Sequence, residues 1–356
     1  MPQGLLGLTT ALVAIPSVSH VEGPMADAVE AALRLCPWLT VERVGDNVVA
    51  RTDLGRRHRL LLAGHLDTVP PVGGNDEPQI VGDTLYGVGS ADMKGGLAVF
   101  LHLAGTIPEP AVDVTWCFYV AEEVAPEFNG LRHLWEHRPD LLAADAAILG
   151  EPTSGVVEAG CQGTLHVRIS LAGRRAHTAR PHTGRNAIHR LAPLLAAVAG
   201  YESRRPVLDG CEYVEQLQAV EVAGGVSGNV VPDEASVLLN HRFAPDRTPA
   251  QAEEWLRVFA EPFLEPGDRW ELTDTAAAAP PSLDHPVLAG LVAATGTAPL
   301  AKQGWTDASS LWAHGVPAAN FGPGDPLLAH TPDEHISVDQ LERTAMVLAA
   351  LLRTGG

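Results

Sequence analysis

Three apolar stretches of this sequence run into acidic or imidazole side chains. Leu60-Leu-Leu-Ala-Gly64 leads to His65 and Asp67, Val112 to Ala121 leads to Glu122 and Glu123, and Ala144 to Leu149 leads to Glu151. Asp92 follows the glycine-broken run Leu85-Tyr-Gly-Val-Gly-Ser-Ala, and His330 stands in Leu328-Ala-His-Thr-Pro-Asp-Glu-His335. The rim just past the carboxyl ends of strands is where open α/β sheets keep their chemistry. A histidine ring nitrogen can bind a metal there. An aspartate two residues on can take the proton of the other nitrogen and fix the tautomer. Several carboxylates converging on one rim cannot all stay ionised unless a cation sits among them. Histidines with carboxylates suit zinc and its neighbours, and a carboxylate shared by two ions makes a two-metal site that activates water. One carboxylate must then stay unliganded to act as general base. The plainer reading is a solvated histidine with an N-capping aspartate at a strand end, and a solvated helix start at Glu122-Glu123. His335 competes with His330 as a ligand, and His330 is preferred because it follows the glycine loop Gly322-Pro-Gly-Asp325.

These residues need a scaffold, and the pattern supplies one. A chain of 356 residues exceeds one comfortable core, so two domains are expected. Strands alternate with helices over the first part: helices near Leu5 to Leu12, Gly23 to Leu35, to Thr106 and Leu131 to His137, and strands at Val41 to Thr52, Arg59 to Ala63, Val112 to Ala121 and Ala144 to Leu149. That order predicts a mostly parallel central sheet. After Val157 the pattern changes. Leu165, Val167, Ile169 and Leu171 alternate with His166, Arg168 and Ser170, and the order becomes strand, helix, strand, strand, helix, strand up to Thr275. This is the order of a ferredoxin-like α+β unit. The remainder, with a helix at Pro286 to Thr295, a strand at Ala318 to Phe321 and a closing helix at Val338 to Arg353, is α/β again. The expected domains are therefore 1–157 and 276–356 for the catalytic domain and 158–275 for an inserted one.

Composition narrows the functions. With 46% hydrophobic and 19% charged residues the chain reads as an ordinary soluble globular protein. A formal charge of -19 argues against nucleic acid and anionic membrane partners. The N-terminus lacks a basic region ahead of its apolar residues and is broken by Pro16, so it reads as an amphipathic helix and not a signal peptide. Cys36, Cys117, Cys161 and Cys211 have no paired spacing and suit buried thiols in the cytoplasm. The glycines from Gly87 to Gly96 are not a phosphate cradle, since no Lys-Ser/Thr follows, and they serve to turn the chain sharply at Asp92. The Gly322 to Gly324 loop is either a plain turn or a backbone site for a substrate carboxylate.

Five motifs taken together, Gly64-His-Leu-Asp-Thr-Val-Pro70, Gly87-Val-Gly-Ser-Ala-Asp-Met-Lys-Gly-Gly96, Ala121-Glu-Glu-Val124, Gly150-Glu-Pro-Thr153 and His330-Thr-Pro-Asp-Glu-His335, resemble the dinuclear zinc amidohydrolase and exopeptidase family, in family order over nearly the whole chain. The resemblance implies a zinc-exopeptidase-like catalytic domain with an inserted ferredoxin-like lid and dimerisation domain, and two Zn2+ per subunit, with Co2+ or Mn2+ as substitutes. It implies that His65 and Glu151 hold one ion, Glu123 and His330 the other, and Asp92 both. Glu122 becomes the free general acid/base, Asp67 the partner of His65, and the Asp92–Met93 peptide cis. Glu158-Ala-Gly-Cys-Gln-Gly-Thr164, Gly173-Arg-Arg-Ala-His-Thr-Ala-Arg180, Gly228-Asn-Val-Val-Pro232, Asn240-His-Arg-Phe243, Gly304-Trp-Thr-Asp307 and Asn320-Phe-Gly-Pro-Gly-Asp-Pro326 are similar to the actinobacterial desuccinylase branch. That branch implies hydrolysis of N-succinyl-LL-2,6-diaminopimelate in a homodimer, with His177 reaching the neighbouring subunit's site. Asn229, Arg242, Arg180 and Gly324 would hold the substrate, since arginine forks match carboxylates. Ser310 stands where the branch has an arginine, which leaves open another N-acyl amino acid deacylase, such as an acetylornithine or acetylcitrulline deacetylase, or a carboxypeptidase.

Overall fold

The computed structural model describes residues 4–356, and they divide into two compact units. The first unit comprises residues up to Ala159, Pro281–Leu300 and Ser310–Gly356. Its strands form an eight-stranded sheet in the order Thr40–Val44, Asn47–Arg51, Asp113–Tyr119, Arg59–His65, Ala146–Leu149, Ala318–Asn320, Glu158–Ala159, Leu300–Ala301. The four central strands, Asp113–Tyr119 through Ala318–Asn320, run parallel, while Thr40–Val44 with Asn47–Arg51, Asn47–Arg51 with Asp113–Tyr119, and Ala318–Asn320 with Glu158–Ala159 pair antiparallel. Parallel strands are covered on both faces, which is why these read as unbroken apolar runs. Leu60, Leu61, Leu62, Val114, Trp116, Ile148 and Leu149 are all buried. The helix Gly95–Thr106 is buried over most of its circumference and apolar to match. The closing helix Val338–Thr354 starts with a capping box between Ser337 and Gln340 and buries Leu341, Leu348 and Leu352 in the same core.

Register sets the site. His65 pairs with Tyr119, and Ala63 pairs with Leu149. The carboxyl ends of three adjacent parallel strands therefore lie within two residues of one another, and the residues that follow them share one rim.

The second unit comprises Gly160–Pro280 and Ala301–Ser309. Its four-stranded antiparallel sheet has the order Gln216–Gly224, Glu234–Phe243, Gly163–Ala172, Arg269–Ala276, packed with the helices Ala187–Ala199 and Pro249–Ala260. The boundaries differ from those expected. The unit runs from 160 to 280 in place of 158–275, and it also recruits 301–309 from the stretch assigned to the catalytic domain. Hydrogen bonds account for the recruitment: Gln162 N–H donates to Gly304 O (2.9 Å), Val214 N–H to Gln303 Oε1 (2.9 Å) and Gln303 Nε2 to Glu212 O (2.7 Å). The alternating face of Leu165, Val167, Ile169 and Leu171 is fully buried among the unit's own residues, Leu191, Leu194 and Leu256 included. The stripe is thus core, and it leaves no apolar face for a partner. The sheet's two edges are Gln216–Gly224, with Val220 and Val222 more than half exposed, and Arg269–Ala276.

Candidate active site

His65 is buried at the end of its strand, with Nε2 3.2 Å from Asp92 Oδ1. Its Nδ1 lies 3.0 Å from the main-chain oxygen of Asp67 and 3.5 Å from that residue's carboxylate. The aspartate expected to orient the ring does so mainly through its backbone. Its carboxylate has other partners: the Ser19 hydroxyl (2.8 Å) and the N–H groups of Glu122 (3.0 Å) and Glu123 (3.1 Å) donate to it. Asp67 therefore anchors the Glu122-Glu123 loop to the histidine strand. Behind that loop, Ala121 has φ 58°, a left-handed backbone that costs a non-glycine residue about 1–2 kcal/mol. The buried Glu22 carboxylate holds it there by accepting the Ala121 N–H (3.1 Å).

Asp92 sits on a sharp turn with a cis peptide to Met93. His330, also left-handed at φ 63°, places Nε2 2.8 Å from Glu123 Oε1 and 3.5 Å from Asp92 Oδ2. Glu151 follows its strand and is buried. The loop from Gly322 to Gly324 packs on this segment: Thr153 Oγ1 donates to Gly322 O (3.2 Å) and accepts the Gly322 N–H (3.1 Å), and Ser154 N–H donates to Gly324 O (2.7 Å). At φ 87°, with Ala91 Cβ only 3.0 Å from where a Cβ would stand, Gly324 brings this loop against the Asp92 turn. His335 is elsewhere, its ring 4.8 Å from that of Tyr86, so of the two histidines in this segment His330 joins the cluster.

Donor atoms of His65, Asp92 and Glu151 lie within 4.8 Å of one another, as do those of Asp92, Glu123 and His330. The two triads share Asp92. A third combination, His65, Glu122 and Glu123, meets the same spacing. Electrostatics agree with a cation-binding role. Burial pushes the Asp92 carboxyl up, but His330 and His65 outweigh it and hold it far below the usual range. Burial likewise opposes ionisation of Asp67, and His65, Ser19 and the Glu122 amide bring it down to about 2. Burial disfavours the His65 cation, yet Asp67 and Asp92 raise it well above its ordinary value. Asp92 and Glu123 raise His330 to about 10. Protein groups alone thus draw protons onto both imidazoles. The acids demand positive charge, and divalent ions bound through oxygen and nitrogen donors supply it. The residues fit a pair of such ions.

One member of the site escaped the sequence reading. Glu334, only 1% exposed, accepts N–H bonds from Gly89 (3.1 Å), Ala91 (3.0 Å) and Asp92 (3.0 Å). Burial pushes its carboxyl up to about 7 and lowers the nearby Lys94, whose ammonium donates to Ile15 O (2.8 Å), to about 7. The available signal was the glycine-rich turn itself, whose N–H groups need acceptors once buried.

The remaining expected residues belong to the second unit. Ala176–His177 pairs antiparallel with Val230–Val231, which Asn229 immediately precedes, and Thr178 N–H donates to Asn229 O (3.1 Å). His177 Nδ1 accepts the Ala179 N–H (3.0 Å), and both His177 and Arg180 are exposed. Arg242 lies on the central strand Glu234–Phe243, where burial lowers its pKa. Among the described residues no side chain or carbonyl accepts a hydrogen bond from its guanidinium. Ser310, which belongs to the first unit and lies within the helix Ala308–Ala313, accepts the His314 ring N–H through its carbonyl (2.8 Å).

Residues 61–354 match the profile of Peptidase family M20/M25/M40. The chain is 51% identical over 346 residues, 97% of each chain, to a Mycobacterium tuberculosis protein that carries the provisional name succinyl-diaminopimelate desuccinylase. It is 44% identical over 351 residues to the succinyl-diaminopimelate desuccinylase of Corynebacterium glutamicum, covering 97% of this chain and 95% of that one. In fold it is similar to a tripeptidase from Staphylococcus aureus (22% identity, TM-score 0.78, 98% and 97% covered). It is also similar to a dinuclear metal-binding peptidase from Bacillus subtilis (16% identity, TM-score 0.70, 98% and 96% covered). Two carboxylate-sharing donor triads at a parallel-sheet rim, with this extent of similarity, place the chain in peptidase family M20/M25/M40 as a metal-dependent amidohydrolase.

Proposed function

We propose that this chain cleaves the amide of N-succinyl-LL-2,6-diaminopimelate to succinate and LL-diaminopimelate, as a cytoplasmic homodimer using two Zn2+ per subunit. The observation that carries the hydrolytic part is the pair of donor triads joined at Asp92. The names of relatives at 44–51% identity over nearly the full length support the substrate. His65 and Glu151 would hold one ion, Glu123 and His330 the other, and Asp92 both. Such a pair supplies Lewis acidity that activates water and polarises an amide carbonyl. Glu122 is the proton carrier: its carboxylate takes a proton from the attacking water and returns it to the leaving amine nitrogen. Asp67 holds Glu122 in place by its N–H and keeps the His65 ring oriented. His177 would donate to the oxyanion of a neighbouring subunit's site, and Asn229, Arg180 and Arg242 would receive substrate carboxylates, with Gly324 lending backbone. The open edge of Gln216–Gly224 supports a two-fold contact between inserted units, since an unpaired edge with exposed valines invites strand pairing. No helix among the described residues is long and apolar enough to cross a membrane.

One observation favours a second reading. Ser310 replaces the arginine expected for a succinyl carboxylate, which would suit another N-acyl amino acid deacylase. Purified protein assayed against N-succinyl-LL-2,6-diaminopimelate, acetylornithine and acetylcitrulline decides. The succinyl substrate is expected to give the highest kcat/KM, and a preference for an acetyl substrate would refute the proposed specificity.

A further inference from the structure

Glu334 sits in the segment that also carries His330, and that segment is fastened to the Asp92 turn along its length. His335–Ser337 pairs antiparallel with Thr84–Tyr86, the strand that leads into the turn. Gly87 N–H donates to Glu334 O (3.1 Å). The Glu334 carboxylate then receives Gly89 N–H on one oxygen and the N–H groups of Ala91 and Asp92 on the other. Four backbone donors of a six-residue turn thus end on one buried residue. His330, four positions earlier, stands 3.5 Å from the Asp92 carboxylate that the turn presents.

We infer that Glu334 is a positioning residue for the metal centre: it fixes the direction of the Asp92 carboxylate and ties that direction to the placement of His330. The inference rests on the dinuclear reading above and extends it to a residue that touches neither ion nor substrate. A carboxylate is required because donors converge on both of its oxygens. A glutamine of the same shape offers one oxygen, and its amide NH2 would face an N–H head to head, leaving a buried donor unsatisfied. The turn would rotate to relieve that contact, and Asp92 is its last member. Since Asp92 belongs to both triads, a small rotation degrades both sites. Partners that orient a ligand typically contribute about 10–100-fold to metal affinity.

The test is E334Q in the full-length protein, stripped of metal and titrated with Co2+. Calorimetry gives stoichiometry and affinity, and the visible Co2+ absorption reports ligand geometry. Wild type should take up two ions. E334Q should bind at least one of them about 10–100-fold more weakly, with an altered absorption spectrum. E215Q removes an equally buried carboxylate from the second unit, where Arg204, Arg247 and the Ala244 N–H hold Glu215, and should keep both ions and the wild-type spectrum. E334D retains the charge with a shorter reach, should recover part of the lost affinity, and decides the matter on the same readouts if E334Q is not recovered folded. Two ions bound by E334Q with wild-type affinity and spectrum would overturn the role given to Glu334. Failure of both Glu334 variants to fold would overturn it too, by assigning the residue to the fold as a whole. Wild-type protein that binds fewer than two ions would defeat the dinuclear reading and this inference with it.

Discussion

Glu122 and Glu123 are neighbours in sequence with opposite assignments, and separating them is the sharpest test of the site. Both backbones are pinned by the Asp67 carboxylate, at 3.0 and 3.1 Å, so truncating either side chain leaves the loop in place. Glu123 Oε1 lies 2.8 Å from His330 Nε2, inside the triad with Asp92. Glu123→Ala is therefore expected to lose one ion, while Asp92, His65 and Glu151 keep the other. Glu122→Ala should retain both ions and lose the proton carrier. Removing a general base lowers kcat by about 10²–10⁴-fold, a barrier rise of about 3–5 kcal/mol. The rival comes from the structure itself, since Glu122 also meets metal-ligand spacing with His65 and Glu123. Metal analysis of the dialysed proteins, alongside kcat at saturating substrate, discriminates. An ion lost from Glu122→Ala and two ions kept by Glu123→Ala would reverse the roles and refute the reasoning.

Three further outcomes are expected. His241 is fully buried against Trp255, with no hydrogen bond on either ring nitrogen among the described residues; burial lowers it to about 4, with Arg247 and Arg204 also lowering and Glu215 raising it. The folded pKa is below the unfolded 6.5, so the unfolded chain binds the extra proton between those values and about 3 kcal/mol of stability is lost as pH falls from 6.5 to 4. His241→Phe should flatten that dependence in denaturant titrations, and an unchanged slope would contradict it. Arg242→Ala should lower kcat/KM for the succinyl substrate by about 10–100-fold, the worth of a charged hydrogen bond, and much less for an acetyl substrate; equal losses would remove Arg242 from acyl recognition. Mixing Glu122→Ala with His177→Ala chains should restore about a quarter of wild-type activity, because half of randomly formed dimers are mixed and each then holds one intact site. Subunits that exchange without recovery would show that His177 does not serve the neighbouring site.

The parts of the site legible in the sequence are those where local pattern and global placement coincide. A parallel strand covered on both faces must be apolar throughout, so a polar residue at its end announces the rim, and His65, Glu122, Glu123 and Glu151 are found that way. The parts not legible depend on partners distant in the chain or on backbone groups that any residue carries. Glu334 reads as one acid among several in a loop, because its partners are main-chain N–H groups some 240 positions away. Spacing marks Asp67 as a partner of His65 without saying which oxygen serves: its carbonyl lies 3.0 Å from the ring nitrogen, and its carboxylate, 3.5 Å away, accepts from a loop more than fifty residues on. The stripe from Leu165 to Leu171 shows a different limit. Alternation states that one face of a strand is buried and does not name what buries it, and here the unit's own core residues do. Gln216–Gly224, one of the sheet's two exposed edges, carries valines among polar residues and has little local signature, since edge position is a property of sheet order and not of any one strand. Evidence for a second subunit must therefore come from that edge and from the mixed-chain experiment, not from the apolar stripe.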